Sequence, residues 1–546
     1  MPDLLVKNAS VIDGSGAPAF DADIVISKGE ISRIIKANDS EPAPPCPEVL
    51  DAKDLVLCPG FIDMHTHSDF TLLLAPKADS RVRQGVTTEV TGNCGGSPGP
   101  FREAFQEPFM EYMKDFGRHY KQELSDGDWN RATLDEFFSL VSRQGTALNV
   151  APLVGHSTLR VTVMGYADRS PDAGEMARMK RLLEQELEKG AFGLSTGLIY
   201  HPGAFAGPKE LAGLAAVLPR YNGIYSTHMR SEAKYLFEAV QEAIGVARQS
   251  KASLQISHLK CESPARWGKS RELLKMLDTA SSQGIDLHFD QYPYTAWATG
   301  MIEIFPPWTK EKGAARLIEI LNDPAQQQAV KDQMRSTDGD WENPMAGLGW
   351  DMIRITGCRL AEHLPFNGMR VSDLAPAMGM APLDALFTLY TREAGGLVAI
   401  VFAMCEADLI DILKHPLGMV GSDGSSITPG GPVGKQPVHP RCYGTFPRVL
   451  SRYVREKQVL SLEAAIHKMT GLPAQKLGLK DRGFVREGMA ADLVLFSPGQ
   501  VKDRADFNHP HQYPAGIDHV FVNGTAVVRD GEHTGNLPGK RLYNVV

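Results

Sequence analysis

The sequence predicts an α/β protein: a TIM-type (β/α)8 barrel with a small β-sandwich domain built from both termini. In the interior of the chain, short apolar runs alternate with amphipathic helical stretches, which is the pattern of βα units and a parallel sheet. Both ends have alternating strand patterns instead, and neither end has enough strands for a stable sheet of its own. We therefore expect the two ends to meet in one β domain, with the barrel inserted between them.

Two hairpin patterns and one further strand predict the β domain. ADIVISKGEISRIIK surrounds a turn at residues 28–30, and HVFVNGTAVV surrounds Asn523-Gly524, a strong signal for a type I′ hairpin. ADLVLF at 491–496 predicts another short strand. The two ends of the chain therefore have similar patterns.

These patterns divide the chain into two predicted domains. We expect residues 1–58 and 480–546 to form the small β domain, and residues 59–479 to form the barrel. Two segments interrupt the βα rhythm of the barrel and are predicted as insertions. They lie near 98–131, which is aromatic and polar, and near 303–350, which contains PPW and a charged helical stretch.

Two helices of the barrel are predicted with particular clarity by apolar residues at a spacing of 3.6. They span 175–189 and 232–249, whereas the Gly- and Pro-rich segment 425–440 is predicted as a long loop. We interpret the apolar faces of the helices as core packing. The residues concerned are Met176, Met179, Leu183 and Leu187 in the first helix, and Leu236, Ala239, Val240, Ala243, Ile244 and Ala247 in the second.

The bulk composition is that of an ordinary globular protein. The chain has 546 residues, 43% of them hydrophobic and 22% charged, with a formal net charge of -8. This balance does not favour a nucleic-acid partner, which requires a basic surface. The sequence contains neither the run of about 18 apolar residues that spans a bilayer nor a signal-peptide pattern. Seven scattered cysteines indicate reduced thiols, so we expect a cytoplasmic protein without membrane association. Its oligomeric state stays open.

The strongest local signal is the triplet His65-Thr66-His67. It follows LVLCPGFID, an apolar run predicted as a buried strand that ends in a turn. Residues i and i+2 of an extended backbone point to the same side, so both imidazoles can reach one metal ion. The same triplet is also common among exposed polar residues, and its place after a strand favours the metal interpretation.

Further candidate residues follow other apparent strands, and each of them has an ordinary explanation when taken alone. In a (β/α)8 barrel, however, the carboxyl ends of all strands meet at one mouth. The ends of five apparent strands here have side chains that bind metals or carry protons, which predicts a zinc site. The further candidates are Cys94, His228, His258 and Asp423.

The predicted chemistry is hydrolysis. Three protein ligands and one open position on zinc lower the pKa of water to about 7, and the metal polarises a scissile carbonyl. A carboxylate close to the metal can take the proton of the water and return it to the leaving nitrogen. Asp423 is the candidate for that role.

Six segments, taken together, resemble those of a known family. PGFIDMHTHSD, GVTTEVTGNCG, GAFGLSTGLIY, STHMRSE, ISHLK and GSDG occur in this order. They resemble the amidohydrolase superfamily, and more closely its D-aminoacylase (N-acyl-D-amino-acid deacylase) branch. The resemblance covers nearly the whole chain, and the cysteine of GNCG is its most specific feature. It implies zinc-dependent hydrolysis of N-acyl-D-amino acids to a carboxylate and a free D-amino acid.

The resemblance also implies roles for individual residues. In that branch the cysteine and the two later histidines hold the tighter zinc, whereas the HxH pair belongs to a second position that is weakly occupied or not needed. Asp423 matches the catalytic aspartate of the family. The residues implied to bind the substrate are Lys260, Tyr292 and Arg441. The implied metal ligands are Cys94, His228 and His258 for the tighter ion, and His65 and His67 for the second position.

Two departures from the family pattern concern the substrate. Asp423 and Arg441 are separated by SSITPGGPVGKQPV, which is longer than in some relatives. Relatives that prefer N-acyl-D-glutamate have an additional arginine shortly after the YPY tyrosine. The corresponding stretch here, TAWATGMIEIFPPW, contains no Arg or Lys and includes Glu303. An acidic side chain would find no partner and one repulsive charge there, so we predict a neutral or hydrophobic D-amino acid.

Two other functions were considered. A cyclic amide hydrolase of the hydantoinase or dihydroorotase type usually bridges two metals with a carboxylated lysine, but AFGLSTGLIY contains no lysine and Lys189 lies at a helix end. A non-catalytic scaffold relative would have lost metal ligands, and this chain retains them. Both are therefore less favoured than the linear amide hydrolase.

Overall fold

The computed structural model describes residues 2–545 apart from residue 38, residues 40–42, residues 102–131 and a few positions between 312 and 346. The last group comprises residues 312, 337–340, 342 and 344–346. Most of the predicted insertion at 98–131 therefore lies outside the described residues.

Eight parallel strands of the described chain form the barrel, as predicted. Each strand pairs with the next in chain order. The barrel closes where Thr66 and Gly424, just beyond the first and last strands, form a parallel bridge. The strands are β1 (Phe61–Asp63), β2 (Val86–Thr91), β3 (Asn149–Pro152 and Val154–Gly155), β4 (Gly193–Gly197), β5 (Ile224–His228), β6 (Ser253–Ile256), β7 (Leu287–Gln291) and β8 (Gly418–Val420).

Helices connect these strands and cover the barrel. Their apolar faces form one large core with the outward side chains of the strands. No helix of the described chain has the length and apolar character needed to cross a membrane. The α-helices of the barrel are Thr71–Leu74, Asp79–Val82, Leu134–Gln144, His156–Met164, Ala173–Glu188, Pro208–Ala215, Leu236–Ser250, Ser270–Ser282, Glu406–Lys414, Arg441–Arg448, Leu462–Met469 and Gly471–Leu477, and Val449–Glu456 is a π-helix.

Both clearly predicted helices are confirmed. Ala173–Glu188 begins after Asp172, whose side chain accepts a hydrogen bond from the backbone N–H of Glu175 over 2.8 Å and so caps the first turn. Leu236–Ser250 begins four residues later than predicted, and all six residues of its predicted apolar face are buried. The delayed start leaves Glu232 in an irregular segment next to the mouth of the barrel.

The small β domain is built from both ends of the chain, as predicted. Its nine strands belong to one hydrogen-bonded sheet, joined where Val56–Pro59 pairs antiparallel with Leu493–Phe496. The two predicted hairpins are present. The remaining strands of the sheet are Leu4–Val11, Phe20–Ser27, Glu30–Lys36, Glu48–Asp51, Ile517–Val522, Thr525–Arg529 and Glu532–His533.

The turns of the two hairpins contact each other. Lys28 and Gly29 have φ angles of 52° and 83°, and Asn523 and Gly524 have 48° and 77°, as type I′ turns require. A Cβ atom on Gly29 would lie 2.8 Å from the carbonyl oxygen of Asn523, and one on Gly524 would lie 2.5 Å from the Cα atom of Gly29. Glycine at both positions therefore allows the two ends of the chain to approach closely.

A subdomain with a core of its own lies between β7 and β8. It contains the predicted insertion at 303–350 and extends well beyond it in both directions. The predicted loop at 425–440 has neither helix nor strand, and the boundaries of the two domains stay predictions. The subdomain consists of an antiparallel sheet of Trp297–Gly300, Val398–Val401 and Ile353–Thr356, and of helices Gly313–Asn322, Pro324–Arg335, Val371–Met378 and Pro382–Arg392.

A buried arginine ties together three strands at the mouth. The guanidinium of Arg81 forms ion pairs with Asp63 in β1 and with Glu89 in β2, the latter over 2.7 Å. It also donates a hydrogen bond to the Ser422 hydroxyl beyond β8 over 2.7 Å. Asp63 in turn accepts the backbone N–H groups of Ser422 and His65. The ends of β1, β2 and β8 are thus held in fixed relative positions.

We expect Arg81→Met to lower the free energy of unfolding by about 3–5 kcal/mol, because two buried carboxylates lose their counter-charge. Urea titration followed by circular dichroism measures this change. Arg316→Gln is the matched control, since Arg316 forms an exposed pair with Glu319 and its loss should change the free energy by less than about 0.5 kcal/mol. Equal effects of the two substitutions would contradict the role of Arg81.

Candidate metal centre and active site

Polar side chains from five strands meet at the carboxyl-end mouth of the barrel. The structure brings together all six metal-binding and acid–base candidates that the sequence predicted. His65 and His67 follow β1, Cys94 follows β2, His228 ends β5, His258 follows β6 and Asp423 follows β8.

The thiol of Cys94 lies at the centre of this group. Its Sγ atom is 3.6 Å from Nδ1 of His228, 3.6 Å from Nε2 of His258 and 3.2 Å from Nε2 of His65. Zinc binds thiolate sulfur at about 2.3 Å and imidazole nitrogen at about 2.0–2.1 Å, so two such ligands of a tetrahedral ion lie about 3.5 Å apart. The spacing of Cys94 to His228 and to His258 therefore fits a zinc ion.

A second group of donor atoms lies beside the first. Nε2 of His67 is 3.0 Å from Oδ1 of Asp423, and Nε2 of His65 is 3.7 Å from the same oxygen. One ligand atom from each of the three residues lies within 4.8 Å of the others, and the same holds for His65, Cys94 and His258. His65 thus belongs to both groups, and the mouth has donor atoms for a second ion next to the first.

The surroundings of Cys94 favour its thiolate. Burial by itself raises the pKa of the thiol, but His65, His228 and His258 outweigh burial and hold the pKa well below its usual range. Thiolate is the form of cysteine that binds metals. A cation can take the place of the hydrogen bonds between the sulfur and the imidazoles, so the donor set is chemically suited to zinc.

Three of the predicted site residues have left-handed backbone conformations. The φ angles of Cys94, His258 and Asp423 are 52°, 36° and 53°. Such a conformation costs of order 1–3 kcal/mol for a residue other than glycine and persists only where the surrounding structure imposes it. Here the left-handed conformation occurs two or three residues after each strand ends, where the side chain lies at the mouth.

Two carboxylates that orient the histidines were not predicted. Oε1 of Glu232 lies 2.9 Å from Nδ1 of His258 and 2.6 Å from Nζ of Lys260. Oδ1 of Asp290 accepts the backbone N–H of His258 and lies 3.5 Å from Nδ1 of His65. Such partners fix the ring orientation of metal-binding histidines. The sequence signal for these two residues was their position, because Glu232 is the acid of STHMRSE and Asp290 is the last but one residue of β7.

Asp423 is paired with a predicted substrate-binding residue. Nη1 of Arg441 lies 2.7 Å from Oδ2 of Asp423, and Nη2 of Arg441 donates to the carbonyl oxygen of Ala298 over 3.0 Å. Burial raises the pKa of Asp423, but Arg441 and the hydrogen bond with His67 outweigh burial and hold the pKa well below its usual range. Asp423 is therefore held in its ionised form at neutral pH.

The other two predicted substrate-binding residues lie next to Arg441. The Arg441 guanidinium lies 5.1 Å from the centroid of the Tyr292 ring, and Nζ of Lys260 lies 5.8 Å from the same centroid. The hydroxyl of Tyr292 is buried and has no hydrogen-bond partner among the described residues. Two cations and an unsatisfied hydroxyl therefore lie together, as a group that binds a carboxylate or carbonyl requires.

Two cavities of about 610 and 1120 Å³ open at this site. Both are bordered by Asp423 and by Tyr200, which was not predicted as a site residue. The Tyr200 ring contacts that of His228 edge-on at 5.1 Å, and its hydroxyl lies 3.3 Å from Oγ1 of Thr299 in the inserted subdomain. The inserted subdomain thus forms part of the wall around the metal centre.

Comparison with known proteins agrees with this arrangement. The sequence model of the amidohydrolase family matches residues 48–528. The chain belongs to the amidohydrolase family.

Within this family, proteins that act on N-acyl-D-amino acids are similar over nearly the whole chain. An N-acyl-D-aspartate deacylase of Alcaligenes xylosoxydans xylosoxydans is 37% identical over 544 residues, which cover 99% of this chain and 95% of that protein. A D-aminoacylase of the same organism is 33% identical over 540 residues, which cover 99% of this chain and 97% of that protein.

A solved structure is similar to the same extent. The crystal structure of an N-acyl-D-glutamate deacylase from Bordetella bronchiseptica superimposes with a TM-score of 0.80 at 33% identity and covers 99% of each chain. That enzyme is complexed with zinc and with a phosphonate inhibitor that mimics the tetrahedral intermediate of the reaction. The fold and the family are thereby shown for the present chain.

We expect Cys94→Ala to lose tight binding of Zn²⁺, because the donor that is nearest to three imidazoles is removed. The affinity for Zn²⁺, measured by titration of metal-free protein, should fall by more than ~100-fold. Loss of a residue that only hydrogen-bonds to a metal ligand typically lowers metal affinity by ~10–100-fold. Cys358→Ala is the matched control, since this buried thiol lies in the core of the inserted subdomain. Unchanged affinity of the Cys94 variant would show that the sulfur is not a ligand.

Proposed function

We propose that the protein is a zinc-dependent hydrolase that cleaves the amide bond of N-acyl-D-amino acids, giving a carboxylate and a free D-amino acid. The observation that carries the proposal is the convergence of Cys94, His228 and His258 beside Asp423, in cavities that also contain Lys260 and Arg441. The relatives of 33–37% identity that are named for this activity support it, and the D configuration rests on them.

Cys94, His228 and His258 are the proposed ligands of a tightly held zinc ion, and His65 and His67 belong to a second, weaker position. When bound, zinc supplies Lewis acidity, which polarises the scissile carbonyl and makes an attacking water easier to deprotonate. His65 lies within reach of Cys94 and His258 and also of His67 and Asp423. One imidazole nitrogen cannot bind both ions at once, which is consistent with one metal position being occupied more tightly than the other.

Asp423 is the proposed proton carrier. Its Oδ2 atom is held by Arg441, whereas its Oδ1 atom faces His65 and His67. The carboxylate is thus fixed with one oxygen directed at the donor atoms, where it can take the proton of the attacking water and deliver it to the leaving nitrogen. Delivery to nitrogen is needed because an amine leaves readily only when it is protonated.

Arg441, Lys260 and Tyr292 are the proposed substrate-binding residues. The guanidinium of Arg441 has further N–H groups beyond those directed at Asp423 and Ala298, and the Tyr292 hydroxyl is unsatisfied. Together with Lys260 they offer positive charge and donors to the carboxylate and carbonyl of an N-acyl amino acid. We propose a neutral or hydrophobic side chain for the amino acid, because the segment after β7 has apolar residues such as Ala298 and Ile302 at the cavity.

The cyclic amide hydrolase remains the less favoured alternative. β4 contains no lysine, and Lys189 is an exposed residue at the end of a helix. Neither offers a bridging carboxylated lysine. A scaffold without activity is also disfavoured, because the side chains of the proposed ligands converge at the mouth of the barrel.

We also propose that the enzyme works in the cytoplasm on small molecules, without a nucleic-acid partner. All seven cysteines are free thiols, which suits a reducing compartment. The net charge of -8 disfavours binding to a polyanion.

The proposed function is tested by a substrate screen on one zinc-loaded preparation with measured metal content. Paired N-acetyl-D and N-acetyl-L forms of Leu, Met, Phe, Glu and Asp are compared with hydantoin and dihydrouracil. We expect hydrolysis of the D forms, greatest for Leu, Met or Phe, and none of the cyclic amides. Turnover of the cyclic amides in place of the linear ones would overturn the proposal.

We expect Asp423→Asn to retain zinc at Cys94, His228 and His258 and to lower kcat by ~10²–10⁴-fold, the range for loss of a general acid–base group. Steady-state kinetics and metal analysis are done on the same sample. Asp332→Asn removes the same charge at an exposed helix position and should leave kcat unaltered. If the Asp423 variant turned over at the normal rate, another residue would carry the proton.

A further inference from the structure

We propose that an ion pair in the cavity wall, Glu303–Lys310, determines which charge the substrate side chain can have. This inference rests on the proposed function and deepens it. Glu303 neutralises Lys310, so the wall presents no net charge to the substrate and accepts neutral side chains. Removal of Glu303 would leave Lys310 as a buried cation that binds an acidic side chain.

The pair borders the same cavities as the proposed reacting centre. Both residues border both cavities, as does Asp423. Glu303 belongs to the short 3-10 helix Met301–Ile304 that directly follows the strand Trp297–Gly300. Lys310 follows the next turn of 3-10 helix, so the two side chains meet within one small loop of the inserted subdomain.

The geometry and burial of the pair make it electrostatically strong. Nζ of Lys310 lies 2.5 Å from Oε2 of Glu303 and 3.4 Å from its backbone oxygen. The side chains are only 8% and 13% exposed. At such low exposure an unpaired charge is strongly unfavourable, so each partner requires the other or a replacement of the same charge. A substrate carboxylate could be that replacement once Glu303 is absent.

The histidine next to Lys310 adds no further positive charge. His201, which also borders both cavities, has its pKa lowered to about 4 by burial and by the charge of Lys310, so it is neutral near pH 7. Its ring packs against Phe205 with centroids 4.7 Å apart. In this part of the wall, Glu303 is therefore the residue that balances the buried charge of Lys310.

Of the three other cations that border the smaller cavity, Arg441 is paired with Asp423, and the remaining two are more accessible to solvent. Lys435 is exposed and Arg359 is half-buried. Solvent and salt screen exposed charges more than buried ones. Lys310 is therefore the cation whose partner should matter most for selectivity.

The ion pair also changes the reason for which an acidic substrate side chain is expected to be disfavoured. The stretch TAWATGMIEIFPPW contains Glu303 and no cation, which implied repulsion of an acidic side chain. In the structure Lys310, two residues beyond that stretch, balances Glu303. The cavity is thus expected to disfavour an acidic side chain because its buried cation Lys310 is already paired, and not because of an uncompensated negative charge at Glu303.

The test measures kcat/KM of the zinc-loaded enzyme for N-acetyl-D-leucine, N-acetyl-D-glutamate and N-acetyl-D-aspartate. For Glu303→Gln we expect the ratio of acidic to leucine substrate to rise at least tenfold. For Lys310→Met, which leaves Glu303 uncompensated, we expect the ratio to fall. The double variant Glu303→Gln/Lys310→Met, which has no charge at the pair, should keep the preference for leucine. Opposite shifts in the two single variants would not arise from a merely structural role.

Glu319→Gln is the matched control, because it removes a carboxylate from an exposed helix of the same subdomain, and it should leave the ratio as in the wild type. Ratios that stay unchanged or move together in both single variants would overturn the inference while leaving the proposed function intact. A wild-type preference for the acidic substrates would overturn the inference and the proposed side-chain preference, but not the proposed hydrolysis of N-acyl-D-amino acids. Lack of turnover of all three substrates by the zinc-loaded wild type would overturn the proposed function and this inference together.

Discussion

Closure of the eight-stranded barrel is the constraint on which the site depends. The backbone N–H of Asp423 donates to the carbonyl of His65, and that of His67 donates to the carbonyl of Gly424, each over 2.8 Å. These two bonds join residues that are more than 350 positions apart in sequence. They bring the end of β8 to the end of β1, and with it the proposed proton carrier to the HxH pair. The buried ion pairs of Arg81 with the carboxylates of β1 and β2 also stabilise this junction.

Charge pairing is the second feature that organises the mouth. Three buried carboxylates that border the proposed substrate site each have a cation beside them. Such fixed charges need little rearrangement when charge develops during a reaction. The backbone strain at Cys94, His258 and Asp423 has the same consequence, because it fixes these side chains before a substrate arrives. The pairs are Asp423–Arg441, Glu232–Lys260 and Glu303–Lys310.

Sequence patterns were most informative where the signal is local. The period of 3.6 predicted Ala173–Glu188 and Leu236–Ser250, and the two-residue turns predicted both hairpins of the β domain. The start of the second helix was predicted too early, because residues 232–235 have the same polarity pattern as the helix. In the structure these residues are irregular, and Glu232 contacts His258. The insertion at 303–350 was seen only in part, since the strands Trp297–Gly300 and Val398–Val401 that complete its sheet are about 100 residues apart.

The sequence by itself determined the fold class, the joining of the two ends in one β domain and the set of residues placed at the mouth. These depend on local periodicity, on turn chemistry and on the rule that strand ends of a barrel share one face. Only the tertiary structure decided which of these residues touch: that Cys94 lies between three imidazoles, that Arg441 holds Asp423, and that Glu232 and Asp290 orient the histidines. Such contacts join distant segments, and barrel closure and packing set their distances. Local sequence patterns therefore cannot predict them.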